Sequence, residues 1–339
     1  MDTTTATATT TAARLSNANP ATWPQGDPAA LGTMDRLLDA ELGFRPGARG
    51  GFINHLAMSL VAAARLGASA EELQGWYDGQ TSGDFLIPRA RPDTVDEPAE
   101  RMERDGIADE VRRRLPTLAL APESQFFHAP IRLELAIDAG HPAQVANALE
   151  NWEAHDTPLP DRPDGDGDSG VAEVVRQVLA HPSAGPASAL DVHGVAAEPW
   201  FRAELARLRV DDRTLDEVAA VAAASHVMPR HFGTLHLVTG TRAARALAPY
   251  LEPEDRRELA LRTAQALAAA MVSFGAGLPS DDETAERRAT APADWQGIAR
   301  AALDSHDPHV VKLVYAAALE EATTGDPLYR AIAATQVGR

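Results

Sequence analysis

Apolar residues recur at i, i+3 and i+4 along most of the chain, in windows where alanine and leucine dominate and β-branched alternation is scarce. That period puts the apolar positions on one helical face and predicts an all-α fold. A first helix is expected to open near Asn54, run through HLAMSLVAAARL and stop at Gly67, after which Ser69 and Glu72 make a capping box for its partner. A second pair comprises FFHAPIRLELAIDAG, ending at Gly140, and a helix from Pro142 to about Trp152. A third candidate is GTLHLVTGTRAARALAPYL, and a fourth begins at Asp307 and Pro308 and continues as HVVKLVYAAALEEA. Each of these four regions carries a histidine in apolar company: His55, His128, His236 and His309.

Between them, residues 80 to 104 and 156 to 170 are polar and rich in Pro, Gly and Asp, which predicts surface loops. The run DGDGDSG from Asp164 resembles the start of a calcium-binding loop, but its sixth position is Ser169 rather than Gly and its twelfth is Val175 rather than Glu. The 339 residues suit one large helical domain over residues 26–339. Residues 1–25 are expected to be a disordered tail: Asp2 stands where a signal peptide needs basic residues, and no apolar stretch follows. No segment approaches the roughly 20 apolar residues of a membrane span.

Charge and cysteine content narrow the chemistry. With 49 acidic against 31 basic residues the net charge is -18, which repels phosphates and anionic headgroups, so neither nucleic acid nor a membrane is an expected partner. The absence of cysteine excludes disulfides and thiolate ligands and suits a reducing, cytoplasmic setting. Metal chemistry then falls to histidine and carboxylate. There is no HExxH, GxSxG or Walker A motif, and GAGLPS from Gly275 lacks the third glycine of a dinucleotide loop, so no flavin is expected.

Lys312 is the only lysine among 31 basic residues, and it sits three residues after His309 in a helix apolar on every side. Both side chains reach one point on that helix. Buried lysine calls for a partner or a lowered pKa, and a neutral amine can react with CO2 to give a carbamate, turning a cation into an anionic oxygen ligand. The ordinary alternatives are an ion pair with Glu134 or Glu320, or an ammonium that snorkels outward. Each apolar-context histidine likewise has an ordinary reading, as a core residue bonded to a backbone carbonyl. His141, His155, His181, His193 and His306 stand in polar, Pro- or Gly-flanked surroundings that suit capping or exposure. His226 and His231, five apart in SHVMPRH, share no helical face, and either could line a pocket as an acid or base.

The blocks NHLAMSLVAAARLGA, FFHAPIRLELAIDAGH, LHLVTGTRAARAL and HVVKLVYA, in that order over residues 51 to 320, resemble the questin oxidase-like family of anthraquinone-modifying oxygenases. Ala57 departs from the proline expected after His-Leu. The resemblance implies an all-α fold around a mononuclear non-haem Fe(II) bound by four histidines and a carboxylated lysine, roles that fall here on His55, His128, His236, His309 and Lys312. It also implies an aromatic polyketide substrate and O2, with oxygen insertion of Baeyer-Villiger type or dioxygenation of a quinone ring. Two other classes remain open: a non-catalytic helical binder of hydrophobic polyketides, and a zinc-type hydrolase using the same ligands. No pattern speaks to the oligomeric state.

Overall fold

Alanine, leucine and straight-chain polar residues lose little side-chain freedom on a helix, and burying one face supplies the stability that propensity alone cannot. In the computed structural model, which describes residues 27–89, 96–161, 167–185, 191–228, 232–292 and 294–338, that pattern gives an all-α fold with one small antiparallel sheet. In chain order the elements are α1 (Pro28–Glu41), β1 (Phe44–Ala48), α2 (Leu56–Arg65), α3 (Ala70–Thr81), β2 (Leu86–Pro88), α4 (Asp96–Asp105), α5 (Ile107–Leu118), α6 (His128–Ala139) and α7 (Pro142–Ala154). There follow α8 (Val171–Ala180), α9 (Val192–Ala197), α10 (Pro199–Leu205), α11 (Thr214–Ser225), α12 (Phe232–Leu247), α13 (Pro253–Ser273), α14 (Asp281–Ala289), α15 (Trp295–Asp304), α16 (Pro308–Thr324) and α17 (Leu328–Gln336). No helix among the described residues is long and apolar enough to cross a membrane. The expected tail over residues 1–25, His231 and part of the calcium-like run lie outside the described residues.

The expected helix boundaries are met closely. α2 gives way to Gly67 and α6 to Gly140, both at positive φ. Ser69 Oγ accepts from the Glu72 amide at 3.2 Å while Glu72 accepts from the Ser69 amide at 2.7 Å, the reciprocal bonds of a capping box. The stretch from residue 80 to 104 differs from the expected loop. It holds β2, which pairs antiparallel with β1, and α4, whose Ala99 and Met102 bury one narrow stripe between charged neighbours. β2 has only three residues, too few to show a period-2 pattern, and β1 carries Pro46 and Gly47, which are depleted in strands.

The chain divides into two compact units. In the first (Met1–Arg113, Ile131–Ala154 and Ala291–Arg339), α16 packs on α2, α15 and α17, and α1 packs on α2 and α3. Every residue of α16 from Val310 to Glu320 is buried, as expected of a helix apolar all round. In the second (Arg114–Pro130 and His155–Thr290), α11, α12 and α13 pack together, with α8 against α10, α11 and α13.

Candidate metal centre

In the first unit, packing of α2 on α16 sets His55, the residue capping α2, beside His309 in the first turn of α16. Their ring centroids lie 4.5 Å apart at 74°. Asp307 fixes His309 twice: one carboxylate oxygen accepts from the His309 amide at 2.8 Å, capping α16, and lies 3.2 Å from His309 Nδ1. A carboxylate only accepts, so Nδ1 carries the hydrogen and the lone pair sits on Nε2. The hydrogen bond from His309 holds Asp307 below the ordinary carboxylate range.

His55 follows a residue clamped by a buried polar network. Asn54 Oδ1 accepts from the Leu56 amide at 2.9 Å, and Asn54 Nδ2 donates to Glu41 at 2.7 Å and to the Arg45 carbonyl at 3.1 Å. Gln144 donates to the other Glu41 oxygen at 2.8 Å. Arg132 of α6 donates to the Asn54 carbonyl, and its guanidinium lies 3.9 Å from Glu41. Glu41, Asn54 and Arg132 are all buried. Sequence reasoning marked Asn54 only as a helix start; a charged Arg132 within apolar PIRLELAI was the available sign of the rest.

Lys312, one turn beyond His309, is 2 % exposed, and its Nζ has no hydrogen-bond partner. The ion pair with Glu134 or Glu320 is not made. Burial, reinforced by the nearby Arg132 charge, pushes the amine down to about 7, with Asp307 pulling the other way. A fraction of neutral amine is therefore present near neutral pH.

In the second unit, His128 and His236 of α12 form a pair with Nε2 atoms 3.2 Å apart and ring centroids 4.6 Å apart. His128 Nδ1 is 2.7 Å from the Gln125 carbonyl, and His236 Nδ1 is 3.0 Å from the Phe232 carbonyl. Carbonyls only accept, so each Nδ1 holds a hydrogen and each Nε2 turns a lone pair toward the other ring. Two such lone pairs repel unless a proton or a metal cation lies between them. Phe126 and Phe232 flank His236 at ring-centroid distances of 5.1 and 4.6 Å, and Phe274 packs on Phe126 at 6.1 Å. The sequence offered no periodic signal for Phe232 or Phe274, which lie at helix boundaries.

Of the acid-base candidates, His226 is buried after α11 with Nδ1 2.8 Å from Thr234 Oγ1, and His231 lies outside the described residues. His141 has the capping role expected of it, its Nδ1 accepting from the Gln144 amide at 3.2 Å. His181 and His306 stack on Trp200 and Trp76. No family model matches the chain, and no curated protein matches it.

Proposed function

We propose that the protein is a mononuclear non-haem iron oxygenase acting on an anthraquinone-like aromatic polyketide, with His55, His128, His236, His309 and a carboxylated Lys312 as ligands. The observation that carries this reading is the pairing of the imidazoles within each unit: the His55 and His309 ring centroids lie 4.5 Å apart, and the His128 and His236 Nε2 atoms lie 3.2 Å apart. Neighbouring nitrogens on one ion at about 2.1 Å each stand ~3 Å apart, so the 3.2 Å between His128 and His236 Nε2 suits two ligands of one ion.

The donor set fits such an ion. His128, His236 and His309 each place Nδ1 on a carbonyl or carboxylate oxygen, which is how metal-ligating histidines are oriented and their Nε2 lone pairs directed. The orphaned Lys312 amine fits as well. Its reaction with CO2 forms an N–C bond and releases a proton, and the resulting carbamate anion offsets part of the dication's charge beside neutral imidazoles. Imidazole with an oxygen anion suits Fe(II).

The resemblance of the blocks around these residues to the questin oxidase-like family supplies the reaction class. Bound there, Fe(II) supplies activation of dioxygen for insertion into, or cleavage of, a quinone ring. The chain's own residues bind and orient: Phe126, Phe232 and Phe274 offer an aromatic wall beside His236 on which a flat polycyclic compound can stack, and Phe232 is 57 % exposed. His226 is the described candidate for moving a proton.

Metal analysis of anaerobically purified protein, with Lys312→Ala and Lys312→Arg alongside, tests the reading. Near-stoichiometric iron in the wild type and its loss from both variants is expected, because arginine keeps its proton and cannot become a carbamate. Active protein free of iron overturns the iron assignment. Wild-type iron content and turnover in Lys312→Arg overturn the carbamate.

A further inference from the structure

Just ahead of His128, Gln125, Phe126 and Phe127 adopt φ values of 55°, 56° and 65°, consecutive non-glycine residues in the left-handed region. Each such residue costs roughly 1–2 kcal/mol, and a conformation of this kind persists only where its surroundings over-determine it. Here the surroundings are visible. Phe127 is fully buried, and its Cβ, Cγ and Cδ1 lie so close to α12 that a Cβ built on Gly240 would meet each of them at 2.7 Å.

Gly240 stands four residues beyond His236 and Gly233 three before it, so the two glycines bracket His236 on one helical face. A Cβ on Gly233 would meet the ring of Phe274 at 2.7 to 2.9 Å. The face of α12 around His236 is thus cut away above and below the imidazole, and Phe274 and Phe127 fill the two notches. The turn seated in the lower notch delivers the Gln125 carbonyl, which accepts from both the His128 amide at 3.3 Å and His128 Nδ1 at 2.7 Å.

We infer that Gly240 is a positioning residue for the His128–His236 pair: it seats Phe127 and the strained turn, and through the Gln125 carbonyl the turn fixes the tautomer and direction of His128. The role as a metal-site device rests on the proposed metal reading, whereas the tautomer control does not. Gly240→Ala forces Phe127 away from α12, the turn relaxes toward right-handed backbone, and the Gln125 carbonyl leaves Nδ1.

The test measures Co(II) affinity of the full chain by titration, thermal midpoint, and the ring-nitrogen NMR shifts of metal-free protein labelled with ¹⁵N-histidine. Wild type is expected to show His128 with its hydrogen held on Nδ1. Gly240→Ala is expected to mix the tautomers and to weaken Co(II) roughly 10- to 100-fold, the range for loss of a group that orients a metal ligand. If Gly240→Ala does not fold, Gly240→Ala/Phe127→Gly removes the ring and the left-handed strain at position 127. That double variant is expected to fold and to bind Co(II) no better than Phe127→Gly alone. Wild type that binds no Co(II) defeats the metal reading, and the tautomer comparison then still decides the role of Gly240. A lowered midpoint with unchanged tautomer and unchanged Co(II) affinity makes Gly240 a packing residue only and overturns the inference.

Discussion

Arg132 and Lys312 bring two cationic side chains into the same buried surroundings, and Arg132 helps depress the Lys312 amine. Glu41 lies beside Arg132, while the Lys312 Nζ has no hydrogen-bond partner. One of the two cations thus lies against a carboxylate, while the other makes no hydrogen bond and has only the opposing pull of Asp307, which makes Lys312 a cost to stability that some other role must offset.

Lys312→Met keeps the length of the side chain and removes the orphaned amine. In chelator-treated protein it should raise the unfolding free energy by about 1–3 kcal/mol, the cost of an unsatisfied buried polar group. Urea denaturation checks this. A less stable Lys312→Met protein means that the amine gains more from its surroundings than the hydrogen-bond geometry accounts for.

Arg132→Met should behave in the opposite way, because it leaves buried Glu41 with only the weaker influence of Arg89 and frees the Asn54 carbonyl. A loss of about 3–5 kcal/mol is expected. Adding Glu41→Gln removes the uncompensated charge and keeps one acceptor oxygen for Asn54 or Gln144, both of which donate to Glu41, and should recover part of that loss. A double variant as unstable as the single one would show that packing rather than charge is what Arg132 supplies.

Asp307 both caps α16 and orients His309, and the two roles separate by substitution. Asp307→Ala should cost about 1 kcal/mol of stability through the lost cap and weaken metal binding together. Asp307→Asn should retain the cap and weaken metal binding alone, since its neutral amide is the poorer acceptor for Nδ1. Thermal midpoints and Co(II) titrations distinguish the outcomes; equal metal affinity in all three proteins would remove Asp307 from the site.

Glu123 gives the chain a pH dependence of known sign. Burial raises its carboxyl from an ordinary 4.5 to about 8, with its own backbone amide and then Arg262 opposing the rise and Asp156 adding to it. Half-exposed His193 stands 3.8 Å away. The folded chain therefore keeps a proton that the unfolded chain has released. The associated stability is complete below about 4.5 and is lost as pH rises through about 8, at no more than ~1.4 kcal/mol per pH unit. Glu123→Gln should flatten that slope and gain stability relative to wild type above pH 8. Parallel denaturation profiles for the two proteins would show that Glu123 ionises freely in the fold.

The all-α class, the ends of α2, α6 and α16 and the burial of Lys312 were legible in the sequence, because helical period, caps and apolar surroundings are local properties of the chain. So was the pairing of His309 with Lys312 on one helix face, since three residues of helix fix it. What tertiary structure decided is of another kind. Glu41, Asn54, Arg132 and Gln144 are far apart in sequence, and only packing makes them one network. The direction of the His128 and His236 lone pairs depends on which carbonyl each Nδ1 meets. The left-handed run at Gln125, Phe126 and Phe127 has no glycine to announce it, because the space that holds it there is a missing Cβ more than a hundred residues away, at Gly240.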